Sequence, residues 1–377
     1  MVQTVLTPEQ NYQALDRYIR ERMGRRIFLV HGRSFPRTKA GAHLRDFAER
    51  QGIALVSFTD FSPNPQYEAV IQGVERFRRT GCDSIIAAGG GSAMDTAKCV
   101  KLWANLAPGE NCLRQEIVPN QIPLLAIPTT AGSGSEATRF AVIYYGGEKQ
   151  SIAHESCLPS AVLLDPSALG TLPDYHRKSA MLDALCHGVE SFWSVRSSQE
   201  SRDYSEAAIR GVLRHLDGYL DNRENGWEGM LQAAHLAGKA INIAQTTAGH
   251  AMSYKLTSLY GIAHGHAAAL CVARLWPCML EHPERWRDPR GEGYREEMLA
   301  RLGAAMGRNT PQGGAEAFQE ILRRMDLTAP VCTREELRRL VLAVNPVRLG
   351  NHPVSLDAAD MEALYGSFLA CGGGRDD

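Results

Sequence analysis

The sequence is short of net charge, of paired cysteines and of long apolar runs, and each shortage removes a class of protein. With 41 Lys plus Arg against 42 Asp plus Glu, the chain has no global basic field with which to condense on phosphate backbones or anionic lipid. Nucleic acid and membrane surfaces are therefore excluded as general partners. No stretch approaches the ~18 uninterrupted apolar residues of a membrane span. The nine cysteines are odd in number and contain no Cys-x-x-Cys pair, which argues against a disulfide framework or a thiolate zinc site and for mostly buried thiols. The 35 glycines and 18 prolines follow no repeat period, so collagen-like and low-complexity architectures drop out. The opening residues, MVQTVLTPEQNYQ, carry neither a basic nor an apolar region of the kind that directs secretion, and the expected location is the cytoplasm. Neither G-x-G-x-x-G nor G-x-x-x-x-G-K-S/T occurs, so the usual dinucleotide and P-loop fingerprints are missing.

What is present is a change of texture along 377 residues. In the first part, apolar strand-like segments at 26–32, 54–60, 84–90 and 123–130 alternate with helix-like stretches at 40–51, Gln66 to Arg79 and from about Ser92. Two more β-rich pieces, 140–146 and 161–166, flank the polar GEKQSIAHE. Strands alternating with helices of this length predict a doubly wound parallel α/β sheet. After Leu172-Pro173 almost everything carries a 3.6-residue pattern, beginning with YHRKSAMLDALCHGVESFWSV behind Asp174. Later helical patterns span Ser201 to Leu220, Gly229 to Ala244, Ala263 to Cys278, Tyr294 to Met306, Ala315 to Met325 and Arg334 to Val344. The expected organisation is an α/β domain over 1–171 and an all-helical domain over 172–377, with a ligand cleft between them.

Two glycine-rich loops follow apolar strands. In SIIAAGGGSAMDTAK, Gly89, Gly90, Gly91 and Ser92 let the backbone approach an anion, and the helix that follows supplies free N–H groups and the positive end of its dipole. Asp95 and Lys98 stand one turn apart behind it; Lys98 is placed to contact a phosphate or ribose, the alternative being a solvated helical pair. The second loop, Pro128 to Thr138, offers hydroxyls and backbone donors suited to ribose, nicotinamide amide or phosphate. Further on, Asp183 and His187 are four apart on a predicted helix, and His250 and His264 follow fourteen residues apart. One carboxylate and three imidazoles suit a borderline divalent ion, Fe²⁺ or Zn²⁺.

Taken together with Pro63-Asn64-Pro65 and Asp165-Pro166, these motifs occur in an order and spacing that resembles the iron-containing alcohol dehydrogenase family, from about residue 10 to 350. The resemblance implies a dinucleotide-binding α/β domain and a helical metal-binding domain, the fold shared with dehydroquinate synthase. It implies metal ligation by Asp183, His187, His250 and His264, and a pyrophosphate on Gly89 to Ser92. It further implies that Asn64, Asp95, Lys98, Thr129, Thr130, Ser133 and, more weakly, Lys149 line NADH or NADPH. The implied reaction is hydride transfer between nicotinamide and a metal-polarised carbonyl. Two positions depart from the family. Where many members carry a relay histidine this chain has Tyr254, which leaves water, a ribose hydroxyl, Tyr254 or His266 as the proton donor. Where NAD-using members place an Asp after the first strand, it reads Val30-His31-Gly32-Arg33-Ser34; Gly32 makes NADPH acceptable, with Arg33 or Ser34 beside the extra phosphate.

Within the family, GHAMSYKLTSLYGIAHGHA and NPVRLGNHP look most like the members that reduce phosphonoacetaldehyde to 2-hydroxyethylphosphonate. The expected partner is thus a small anionic aldehyde, gripped by Lys255 and Arg348, with Arg139 and His352 as weaker candidates; a homo-oligomer, a dimer first, is left open. The competing readings are a general alcohol dehydrogenase, a dehydroquinate synthase-like lyase and a catalytically silent dinucleotide module.

Overall fold

The computed structural model describes residues 3–107 and 109–371. The described residues form two compact units. One runs to Leu172 and takes in Asn222–Leu231; the other comprises Pro173–Asp221 and the described residues from Gln232 on. The segment Asn222–Leu231, which the sequence assigns to the helical half, packs with the α/β half instead.

In chain order the first unit contains β1 (Thr4–Leu6), α1 (Glu9–Arg22), β2 (Arg26–His31), α2 (Lys39–Gln51), β3 (Ala54–Phe58), α3 (Tyr67–Arg79), β4 (Ser84–Gly89), α4 (Gly91–Trp103), β5 (Leu124–Pro128), β6 (Phe140–Tyr145), β7 (Glu148–Ala153) and β8 (Ala161–Leu163). Six strands form one sheet in the order β1-β8-β5-β4-β2-β3, and every pair in it is parallel. Such a sheet must be covered on both faces. Leu15 and Ile19 of α1 and Leu44 and Phe47 of α2 close one face over Ile27, Leu29, Ile86 and Leu125. On the other, Phe28 meets Phe77 of α3 edge-on at 5.7 Å. Each fully buried Leu or Ile contributes ~1.5–3 kcal/mol relative to exposure. The polar stretch after β6 is a strand too: β7 pairs antiparallel with β6 across Gly146 and Gly147, whose φ of 59° and 79° suit a two-residue hairpin turn.

The chain leaves β2 for the edge strand β3 and returns to the opposite side of β2 as β4. The carboxyl ends of β2 and β4 therefore mark a switch point, where parallel sheets bind ligands. Gly89 pairs with Pro128 at the end of β5, so the two glycine loops leave the sheet side by side.

The second unit is helical, built on α5 (Asp174–Trp193), α6 (Gln199–Leu220), the part of α7 (Glu224–Ala244) from Gln232 on, α8 (Ala248–Tyr260), α9 (His264–Glu281), α10 (Gly291–Ala305), α11 (Pro311–Arg324), α12 (Arg334–Leu342), α13 (Pro346–Leu349) and α14 (Ala358–Gly366). α5 is buried from Met181 to Trp193 on every side, the mark of a central helix. Two glycines let its neighbours press against it. A Cβ on Gly265 would lie 2.0 Å from the Ser179 carbonyl and 2.7 Å from the Asp183 Cβ, and one on Gly249 would lie 2.6 Å from Val272 and 3.1 Å from Glu190. The first ends of α8 and α9 thus reach the middle of α5, and that fixes the site.

Candidate functional site

Asp183 and His187 lie one turn apart on α5, His250 is in the first turn of α8, and His264 opens α9. Asp183, His187 and His250 bring ligand atoms within 4.8 Å of one another, and His264 approaches this group from the side of Asp183. From Asp183 Oδ1 the Nε2 atoms of His250, His187 and His264 stand at 3.5, 3.9 and 4.0 Å. Ligand atoms arranged tetrahedrally at the ~2.1 Å of a Zn–N or Fe–N bond are ~3.4 Å apart, so these donors need little movement to close on a cation. Asp183, His187 and His250 are buried, while the His264 side chain keeps 35% exposure and forms the open side. Asp183 Oδ1 and His250 Nε2 are shielded from solvent yet have no hydrogen-bond partner among the described residues. A buried carboxylate oxygen without a donor is costly unless a cation balances it, and by this test the residues fit a divalent metal. Burial raises the Asp183 carboxyl, but the imidazoles of His187, His250 and His264 outweigh it and hold the group below the usual carboxylate range.

Sequence reasoning missed the residue beneath this cluster. Glu190 follows Asp183 by seven and His187 by three on the same face of α5, a spacing that was readable. Its carboxylate is fully buried. Oε1 accepts from the Thr247, Gly249 and His250 amides at 3.0, 2.9 and 3.3 Å and from the Thr247 hydroxyl at 2.6 Å, which caps α8 from outside its own segment. Oε2 pairs with His250 Nδ1. Burial pushes Glu190 up, and His250 and Thr247 outweigh it, bringing it down to about 2.

Beside the cluster, the Tyr254 ring lies parallel to His264, 5.3 Å between centroids and 1° between planes. Arg348 on α13 donates from Nη1 to the Tyr254 hydroxyl at 3.0 Å, with its guanidinium 5.2 Å from the ring centre. Burial raises the Tyr254 phenol against the opposing pull of Arg348, so it keeps its proton at neutral pH. Lys255 is half-buried and sits ~100° further round α8. Two expectations need correction here. His266 lies two positions past His264, which on a helix turns it away; its Nδ1 faces the Tyr175 hydroxyl at 3.3 Å and its amide the Ser179 hydroxyl. His352 is 1% exposed, packs edge-on to Trp193 at 6.0 Å, and burial brings it down to about 3, so it is a neutral core imidazole and not an anion clamp.

In the α/β unit, α4 starts at Gly91 with no side chain capping its first amides, which leaves them for an anion. A Cβ on Gly90 would come within 3.4 Å of Thr130 and one on Gly91 within 3.3 Å of Ser133, so both loops share one cradle. Thr129 donates its amide to the Gly89 carbonyl at 2.9 Å. Ser92 is half-buried, Arg33 and Ser34 are exposed, as is Asn64, and Lys149 is half-buried on β7. Around Gly32 a Cβ would meet nothing within 4 Å.

Lys98 corrects the expectation most sharply. It is fully buried, and its ammonium donates to the Ser135 carbonyl and hydroxyl at 2.6 and 2.9 Å, to Thr138 Oγ1 at 3.1 Å and to the Phe140 carbonyl at 2.7 Å. Asp95 in turn accepts from the Ser135 hydroxyl at 2.8 Å and the Val142 amide at 3.1 Å. The pair is neither a phosphate contact nor solvated; it staples the second loop to α4. Arg139, in the α/β unit, is likewise engaged, 2.7 Å from Glu155.

Comparison with known proteins gives each unit the same parentage. The family model described as iron-containing alcohol dehydrogenase matches residues 3–166, and that of the Fe-containing alcohol dehydrogenase family C-terminal region matches 178–367. The chain belongs to the iron-containing alcohol dehydrogenase family and is an oxidoreductase. Among its relatives, a phosphonoacetaldehyde reductase of Streptomyces viridochromogenes is 32% identical over 314 residues, 79% of each chain. Alcohol dehydrogenase 4 of Schizosaccharomyces pombe is 33% identical over 68% of this chain and 60% of its own. The crystal structure of an iron-containing alcohol dehydrogenase from Thermotoga maritima superposes with a TM-score of 0.83 at 25% identity over 98% of both chains. A sulfoacetaldehyde reductase from Bifidobacterium kashiwanohense, solved with NAD⁺, superposes at 0.84 and 24% identity, covering 97% of this chain and 96% of its own. No helix among the described residues is long and apolar enough to cross a membrane.

Proposed function

We propose that the protein reduces a short anionic aldehyde, phosphonoacetaldehyde first, to its alcohol at the expense of NADPH or NADH. Asp183, His187, His250 and His264 would hold one divalent ion, Fe²⁺ first and Zn²⁺ as the alternative. When bound, that ion supplies a Lewis acid for the carbonyl. The observation that carries the substrate reading is the stack of Arg348 on Tyr254 on His264: it keeps a guanidinium one ring away from a metal-ligand candidate. A planar guanidinium grips two oxygens of a phosphonate at once, and Lys255 would add a point charge. Tyr254 accepts from Arg348 and keeps its own proton, which leaves it available as a donor to a developing alkoxide. On the dinucleotide side, Gly89 to Ser92, Thr129, Thr130 and Ser133 would bind the cofactor, with Arg33 and Ser34 beside a 2′-phosphate. The relative that carries phosphonoacetaldehyde reductase as its name supports the same choice.

The test is an NAD(P)H-consumption screen on metal-replete protein with phosphonoacetaldehyde, sulfoacetaldehyde, a carboxylated aldehyde and acetaldehyde. Each lost charge-assisted bond costs ~1.5–3 kcal/mol, so kcat/KM for acetaldehyde should fall at least roughly tenfold below the phosphonate, with the sulfonate between. Arg348→Ala should erase most of that gap. Equal turnover of acetaldehyde, or an intact phosphonate preference in Arg348→Ala, would make a general alcohol dehydrogenase the better description.

A further inference from the structure

We infer that Glu190 is a positioning residue that sets which nitrogen of His250 is offered to the metal. The inference rests on the metal reading above and adds a residue to it. An imidazole coordinates through a nitrogen that carries no proton, so His250 must keep its hydrogen on Nδ1 for Nε2 to face Asp183. Glu190 Oε2 is the atom opposite Nδ1. An ionised carboxylate only accepts, so it demands a hydrogen there. The carboxylate cannot swing away, because its other oxygen is fixed by three amides and a hydroxyl at the start of α8. Trp193 Nε1 donates to the same Thr247 hydroxyl at 2.9 Å, which holds the arrangement from behind. One buried side chain thus caps the helix that carries His250 and orients the ring at its first turn.

The substitution Glu190→Gln separates these two duties. Four donors converge on Oε1, and an amide NH₂ cannot occupy that position, since it would face other N–H groups. The amide oxygen must take it, which preserves the cap and turns the NH₂ toward His250 Nδ1. A group that only donates then forces Nδ1 to accept and moves the imidazole proton to Nε2, pointing at Asp183. The variant should fold with an unchanged far-UV spectrum and bind metal roughly 10- to 100-fold more weakly, as for other partners of metal-ligating histidines. Thr247→Val, which removes one donor and leaves the carboxylate in place, should change metal affinity by less than about threefold.

The measurement is competition between metal-free protein and a chromogenic chelator for Zn²⁺, in wild type and both variants. Wild type that binds no zinc defeats the metal reading itself. Wild type that binds, with Glu190→Gln binding as tightly, overturns the present inference and leaves the metal reading standing. A second measurement covers a variant that does not fold: ¹⁵N-histidine spectra of zinc-loaded wild type, assigned against His250→Gln, should show the His250 proton on Nδ1. A proton on Nε2 overturns the inference independently of any Glu190 variant.

Discussion

Replacing Lys98 by Met tests how the glycine-loop cradle is built. Met matches the length and apolar stem of lysine, so the core of α4 stays filled while the ammonium disappears. Four acceptors lose the ammonium: the Ser135 carbonyl and hydroxyl, Thr138 Oγ1 and the Phe140 carbonyl. Asp95, half-buried on the same helix, loses the cation that opposes the cost of its burial. Each buried acceptor deprived of a donor costs ~1–3 kcal/mol, and the sum is a large share of the ~5–15 kcal/mol that holds a typical protein folded. Urea unfolding of the cofactor-free protein should register that loss. The double variant Asp95→Asn/Lys98→Met, which leaves no orphan charge, should recover part of it. A lysine whose duty was to touch a cofactor phosphate would behave in the opposite way, leaving cofactor-free stability near wild type and weakening only dinucleotide binding. Lys98→Met within about 1 kcal/mol of wild type in urea would therefore refute the staple.

His264→Ala should abolish both stoichiometric metal binding and aldehyde reduction, checked by metal analysis and NADPH turnover; full activity in metal-free protein would contradict the proposed centre. Gly32→Asp should shift the cofactor ratio toward NADH, because a Cβ there meets no neighbour and the new carboxylate would repel a 2′-phosphate while accepting from a 2′-hydroxyl; wild type itself should use NADPH at least as well as NADH. His352 gives the pH dependence. Its pKa falls from 6.5 to about 3 on folding, so its contribution to stability is intact above pH ~6.5 and is lost as pH falls toward about 3. Between pH 7.5 and 5.5 this amounts to ~1.4 kcal/mol. Urea midpoints of His352→Leu at the two pH values should lack that part of the wild-type decline, and parallel declines would exclude His352 as its source.

The periodic parts of the fold were legible from the sequence, and the departures share a physical cause. α2 to α4 and the strands β2 to β5 lie where alternation of apolar segments puts them, because their signals are local. α1 went unread: Gln10, Asn11 and Tyr12 hold left-handed φ values of 50°, 54° and 63°, and no capping side chain announces its start. α8 had no local start signal either, since its cap is Glu190, fifty-seven residues before Thr247 in the chain. Asp183, His187 and Glu190 share a helix face by spacing, but spacing could not tell that Glu190 would meet Thr247, Gly249 and His250, fifty-seven to sixty residues onward. Lys98 was misread because its acceptors lie 37 to 42 residues onward. A lysine behind a glycine-rich loop looks like a phosphate contact until the chain is folded over it.

The distribution of charge supports the proposal of a cation at Asp183 and not at Glu190, although both carboxylates are buried on one helix face. Glu190 sits at the amino end of α8, where three amides and the helix dipole offset its charge. Asp183 has no such cap, and its Oδ1 meets only imidazole nitrogens. Burial pulls His250 down, but Glu190 and Asp183 outweigh it and push it up to about 9, so without a metal a proton on imidazole balances Asp183; a divalent ion would take over that balance. One carboxylate, three neutral imidazoles and a divalent ion then sum to one net positive charge, and Arg348 stands one aromatic ring away. On the proposed reading, an anionic aldehyde brings to this region the charge that an uncharged aldehyde lacks. On that proposal, the balance that would select a divalent cation at Asp183 would also select against uncharged substrates beside it, and Tyr254, stacked on His264 and bonded to Arg348, links the two groups.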